Sequence, residues 1–95
     1  MIDLDPVIHE SARLVLVSSL YVVDEADFVY LANRTGFTSG RLSSHMAKLE
    51  AAGYVEVTKG FVGKRPRTTY KLTEAGRHAF ERYRTSIEDL LKTAD

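Results

Sequence analysis

Cysteine is absent from the chain, which excludes a disulfide framework, a thiolate metal site and a cysteine nucleophile. A chain without thiols fits a reducing compartment, and a cytoplasmic location is expected. Long apolar runs are also missing. The longest, Phe28–Ala32, is five residues, far short of the roughly 20 residues that span a bilayer, so no membrane partner is expected. The opening stretch, MIDLDPVIHE, is acidic rather than basic and is not expected to be a secretory signal. Catalytic signatures are equally scarce. There is no glycine-rich phosphate loop, no H-E-x-x-H and no G-x-S-x-G. Serine and histidine meet at Ser43-Ser44-His45, but consecutive helical residues point apart and no carboxylate is placed to orient the imidazole. Neither enzyme activity nor a cofactor is expected. His78 and Glu81, three residues apart, offer a metal at most two ligands, so no metal site is expected.

What is present is an uneven distribution of charge. Ninety-five residues make one small domain whose formal net charge is zero. Residues 1–30 carry six acids and one base, residues 31–72 two acids and eight bases, and residues 73–95 five acids and four bases. Charges act over a Debye length of roughly 8–10 Å at physiological salt, so the basic middle matters more than the neutral sum.

Hydrophobic spacing predicts the order helix, helix, helix, hairpin, helix. Asp5-Pro6 suits a helix start, and Ile8, Ala12, Val15, Leu16, Ser19 and Leu20 recur at helical spacing, predicting a first helix over about 6–22. A second helix is expected from Ala26 or Asp27, with Phe28, Leu31 and Ala32 on one face and Gly36 as its stop. Thr38 or Ser39 caps a third, with Leu42, Met46, Leu49 and Ala52 inward and Gly53 as its end. Tyr54–Thr58 reads as a strand, Lys59–Thr68 as a loop and Thr69–Leu72 as the return strand. Thr73 caps the last helix, whose apolar face is Ala79, Phe80, Tyr83, Ile87, Leu90 and Leu91.

Three helices followed by a hairpin make a winged helix-turn-helix. The fold class is mainly α with a small β-hairpin, in one domain over residues 1–95. The helix-turn-helix is expected at about 27–53, the wing at about 54–72 and a C-terminal helix at about 73–92. In that unit the third helix enters the major groove. Thr38, Ser39, Arg41, Ser43, Ser44, His45 and Lys48 would meet DNA from its outer face. Small polar residues allow close approach, and arginine can pair with guanine. His45 has two readings, a DNA contact or a packing contact between the third helix and the wing. In the wing, Lys64, Arg65, Arg67 and Thr69 would lie on the backbone or in the minor groove. Pro66 stiffens this segment, and no acid occurs from Lys59 to Lys71.

The run LSSHMAKLEAAGYVEVTKGFVGKRPRTTYKLTEAG resembles the small winged-helix transcriptional regulators related to the MarR and ArsR families. The matching positions are Ser43, His45, Leu49, Glu50 and Gly53, then Tyr70, Leu72, Thr73 and Gly76, and the likeness extends over about residues 8 to 92. The resemblance implies a homodimer on pseudo-palindromic double-stranded DNA, with repression as the expected mode. The chain lacks the cysteine pairs of metal-sensing relatives. Phe80, Tyr83, Ile87 and Leu90 follow a heptad seam, and helix one carries more apolar surface than one face needs. The dimer interface is therefore expected from Leu14, Val17, Tyr21, Phe80, Tyr83, Ile87 and Leu90. Two alternatives stand beside this reading. One is a winged helix used for protein–protein contact, which calls for an apolar outer face on helix three. The other is a regulator gated by a small molecule in an interface pocket lined by Tyr21, Tyr30, Phe80 and Tyr83.

Overall fold

The structure is a computed structural model that describes residues 3–92. The elements run α1 (Ser11–Tyr21), β1 (Ala26–Asp27), α2 (Phe28–Thr35), α3 (Ser39–Ala51), β2 (Val55–Val62), β3 (Arg65–Leu72) and α4 (Glu74–Lys92). This is the winged helix-turn-helix expected, with one strand more.

The first helix starts later than Asp5-Pro6 predicts. Asp5 does cap, but it caps a single turn: Val7 N–H donates to its Oδ1 at 2.9 Å and His9 N–H to its carbonyl at 2.7 Å. Glu10 then takes an extended conformation (φ −149°, ψ 136°) and restarts the helix, its carboxylate accepting from Arg13 N–H at 2.8 Å. The break lets Ile8 leave the α1 axis and pack with Ala79 and Tyr83 of α4. Val15, expected inward, is exposed.

Helix α2 begins at Phe28 because Asp27 serves as its N-cap, accepting from Tyr30 N–H at 2.7 Å. It ends at Gly36, whose φ of 75° is the left-handed conformation glycine adopts without steric cost. Thr38 caps α3, accepting from Arg41 N–H at 3.2 Å. Leu42, Met46 and Leu49 are buried, each burial contributing about 1.5–3 kcal/mol by removing apolar surface from water. Ala52, expected on that inner face, is exposed because α3 ends one residue before it. The core joins these residues to Leu16, Leu20 and Leu31, and to Val55, Tyr70 and Leu72 of the sheet.

The wing differs most from expectation. Lys59–Thr68 is ladder, not loop. Strands β2 and β3 pair antiparallel without interruption from Val55↔Leu72 to Val62↔Arg65, so the loop shrinks to Gly63-Lys64, with Gly63 at φ 62°. Pro66 is tolerated because β2 is its ladder partner on one side, while β1 pairs with β3 only at Thr69 and Tyr70. The sheet order is β1-β3-β2. Strand β1 occupies residues that spacing assigns to the start of the second helix. It is two residues long, too short for alternation to reveal it.

Thr73 locks the wing to α4. Its hydroxyl donates to Gly53 O at 2.6 Å and accepts from Gly76 N–H at 3.0 Å, while its own N–H donates to Tyr54 O at 3.0 Å. Helix α4 crosses Tyr54 so closely that a Cβ on Gly76 would lie 2.9 Å from the Tyr54 carbonyl carbon and overlap its oxygen.

Candidate nucleic-acid interface

Burial of Leu42, Met46 and Leu49 leaves the opposite side of α3 to solvent. Thr38, Ser39, Gly40, Arg41, Ser43, Ser44 and Lys48 are all exposed. Arg41, Ser44, His45 and Lys48 fall at i, i+3, i+4 and i+7, one stripe of the helix. Arg41 is held in place: its guanidinium lies 4.2 Å from the centroid of the Phe37 ring, which packs on the core from the turn between α2 and α3. A stacked arginine loses less conformational freedom on binding than a free one.

His45 is different. It is half-buried, and its partners lie on α1 rather than on the wing, the packing partner that spacing suggests. Arg13 Nη1 lies 3.1 Å from its Nδ1 and Glu10 Oε1 3.7 Å away. Arginine can only donate, so Nδ1 accepts and the proton sits on Nε2. His45 thus ties the exposed face of α3 to the start of α1. The same cluster acts on Glu10. The Arg13 backbone N–H above all, with the nearby Arg13 charge, holds its carboxyl below the ordinary carboxylate range against an opposing desolvation effect.

Register sorts the wing's side chains. Alternation puts Arg65, Arg67, Thr69 and Lys71 on one face of β3, opposite Val62, Gly60, Thr58 and Glu56 of β2. The other face, Val55, Val57, Lys59 and Phe61 against Leu72, Tyr70, Thr68 and Pro66, is the core side continued outward past the core. The wing's arginines are therefore a one-sided row. Lys64 stands at the turn. Gly60 leaves Arg67 without a side chain directly opposite it on β2. Arg67 Nε instead meets Asp27 Oδ2 at 3.4 Å. That ion pair joins the wing to the cap of α2, and nothing local in the sequence signals it. Thr69 is half-buried in the ladder, its hydroxyl donating weakly to Thr58 O at 3.4 Å.

The residues expected at a dimer interface are divided. Val17 and Tyr83 are buried inside the chain's own core, with Tyr83 O–H 2.8 Å from His9 Nδ1. Tyr21 and Phe80 pack on each other at 4.8 Å between ring centroids, and the Tyr21 hydroxyl donates to Glu81 Oε2 at 2.8 Å. Leu14 and Ile87 are half-buried, and Leu90 is exposed. Exposed apolar surface also remains at Val15 and Val22, on and just after α1, and at Leu91 of α4. Three of the four aromatics named for a ligand pocket, Tyr21, Phe80 and Tyr83, neighbour one another. Tyr30 lies beside Asp27 and Arg67, whereas Tyr21 and Phe80 pair with each other and Tyr83 packs on Ile8. Glu81 is engaged by Tyr21, and among the described residues no group of three or more histidines and carboxylates gathers. No helix of the described residues is long and apolar enough to cross a membrane.

Comparison with known proteins agrees with this geometry. Residues 12–91 match the family described as the winged helix DNA-binding domain. An uncharacterised protein of Methanocaldococcus jannaschii is 33% identical over 89 residues, covering 94% of this chain and 97% of the relative. A transcriptional regulator homologue from Pyrococcus horikoshii superposes with a TM-score of 0.86 at 27% identity, over 94% of this chain and 88% of that one. NadR, solved in complex with 4-hydroxyphenylacetate, shares the fold at a TM-score of 0.73 and 23% identity, over 93% of this chain and 64% of NadR's.

Proposed function

The chain belongs to the winged helix DNA-binding domain family, and from that premise we propose that it is a sequence-specific DNA-binding transcriptional regulator that works as a homodimer and represses. The observation that carries the reading is the run Lys64, Arg65 and Arg67 at the end of a hairpin with no acid between Lys59 and Lys71. A solvated edge needs no such concentration of one sign, whereas a phosphate backbone does. Helix α3 enters the major groove, where Arg41 and Ser44 reach base edges and Ser39, Ser43 and Lys48 meet phosphate. Lys64 and Arg65 hold the wing on the backbone. His45 offers its Nε2–H from the rim of the helix.

Exposed apolar side chains at Val15, Val22 and Leu91 support pairing of two copies through the terminal helices. A dimer places two recognition helices on half-sites about 34–36 Å apart, and its occupancy of an operator excludes polymerase. The polar outer face of α3 disfavours the protein-contact alternative.

The test is fluorescence anisotropy with a mixed-sequence duplex over a salt series. The wild type is expected to bind at micromolar concentration or tighter, with log K falling steeply against log salt. Arg65→Ala with Arg67→Ala should weaken every duplex and flatten the slope by roughly 0.9 for each phosphate no longer neutralised. Unchanged affinity and slope in the double variant would remove the wing from the mechanism.

A further inference from the structure

Two large apolar side chains stand at the end of the basic hairpin. Phe61 is 74% exposed and Val62 58%. The register sets Phe61 directly across from Pro66, and Val62 across from Arg65. Phe61 and Pro66 therefore project together from one face of the outermost rungs, while Arg65 projects from the other and Lys64 occupies the turn. Electrostatics restrict what this tip can touch. A tip with no acid from Lys59 to Lys71 suits a polyanion, and Phe61 calls for an apolar surface on the same partner.

Duplex DNA offers both, because its grooves expose sugars and the edges of stacked bases between phosphate rows. The minor groove is about 6 Å wide, and a two-stranded ribbon with strands about 4.8 Å apart plus side chains is too thick to lie in it whole. A tip can enter. This one is thinned by Gly60 and Gly63, where an added Cβ would meet nothing within 4 Å.

We propose that Phe61, backed by Pro66, is a minor-groove wedge that presses into and partly unstacks a base step while Arg65 and Lys64 hold the flanking phosphates. The proposal rests on the DNA-binding reading above and adds to it a contact that is apolar and independent of salt. Phenylalanine and proline are among the side chains that open base steps and kink a duplex toward the major groove. Pyrimidine–purine steps open most readily, so the wedge selects TA and CA steps through their deformability, without a hydrogen bond to any base. Val62, on the same side as Arg65, packs along the sugar edge.

The probe is the duplex that the wild-type protein itself enriches from a random-sequence pool, rebuilt with 2-aminopurine at successive positions and with a fluorophore pair at its ends. Binding should raise 2-aminopurine emission at one step in each half-site and shorten the end-to-end distance. Phe61→Ala should bind about tenfold more weakly with the salt slope unchanged, and should abolish both signals. Phe61→Leu should retain part of each. Phe61 is exposed, so its truncation leaves the core intact, and an unchanged circular-dichroism melt checks this. Enrichment of a duplex with no unstacking signal, or with Phe61→Ala equal to wild type, overturns the wedge and leaves the DNA-binding reading intact. Failure to enrich any duplex overturns both.

Discussion

Asp27→Asn is expected to tighten DNA binding. Asp27 does two things with its two oxygens: Oδ1 caps α2 by accepting from Tyr30 N–H at 2.7 Å, and Oδ2 pairs with Arg67 Nε at 3.4 Å. Asparagine caps a helix about as well as aspartate, so the first role survives the substitution. The second does not, because the amide brings no charge to Arg67. With Asp27 present, Arg67 approaches a phosphate already half neutralised and contributes little to counterion release. Freed, it should neutralise close to one further phosphate, steepening the log K against log salt slope by roughly 0.9 per protomer and raising affinity about fivefold at 0.15 M salt. The loss of stability should be small, since exposed pairs of this kind contribute about 0.2–1 kcal/mol, a melting shift of no more than about 8 °C in a domain this size. Anisotropy titrations at several salt concentrations read the effect, and the same substitution in an Arg67→Ala background isolates it. An equal gain in that background would mean that Asp27 acts only by general repulsion of DNA. No gain in either background would mean that Arg67 leaves the ion pair at no cost or never meets phosphate.

Gly76→Ala should destabilise the fold by about 1–3 kcal/mol in chemical denaturation, because its Cβ would overlap the Tyr54 carbonyl unless α4 moves off the wing. Arg41→Ala should relax base preference at one operator position by about 1–3 kcal/mol while shifting the salt slope little, read by competition with single-base variants of the enriched duplex. Glu10 is held ionised in the fold, so its contribution to stability is full at neutral pH and is lost as pH falls through and below the ordinary carboxylate range. Glu10→Gln should therefore show a flatter melting temperature against acid pH than wild type. Leu91→Glu with Val22→Glu should shift the protein toward monomer in sedimentation and weaken operator binding without changing the fold, if the terminal helices form the dimer contact.

Helix α3 was legible because three independent signals coincide there: the Thr38 cap, the inward spacing of Leu42, Met46 and Leu49, and the glycine that follows it. Such agreement between local and tertiary preference is what makes an element readable from sequence. The wing was legible in charge but not in shape. Two glycines and a proline between Lys59 and Thr68 read as a loop by local propensity, yet the ladder continues through them, since strand pairing adds hydrogen bonds along the hairpin and overrides local preference. The difference decides what the hairpin can do. As a loop, its arginines are a cluster without direction. As a ladder, they become a row on one face, with Phe61 and Pro66 on the other. The remaining differences concern pairs far apart in sequence. Asp27 with Arg67, and His45 with Arg13 and Glu10, depend on β1 and on the break at Glu10, each of which is set by only one or two residues. Periodicity places surfaces, whereas the polar contacts that orient side chains on them arise where the chain departs from period. Here those departures restrain both halves of the proposed DNA-binding surface, Asp27 holding the wing arginine and the Glu10 break holding His45 at the edge of the recognition helix.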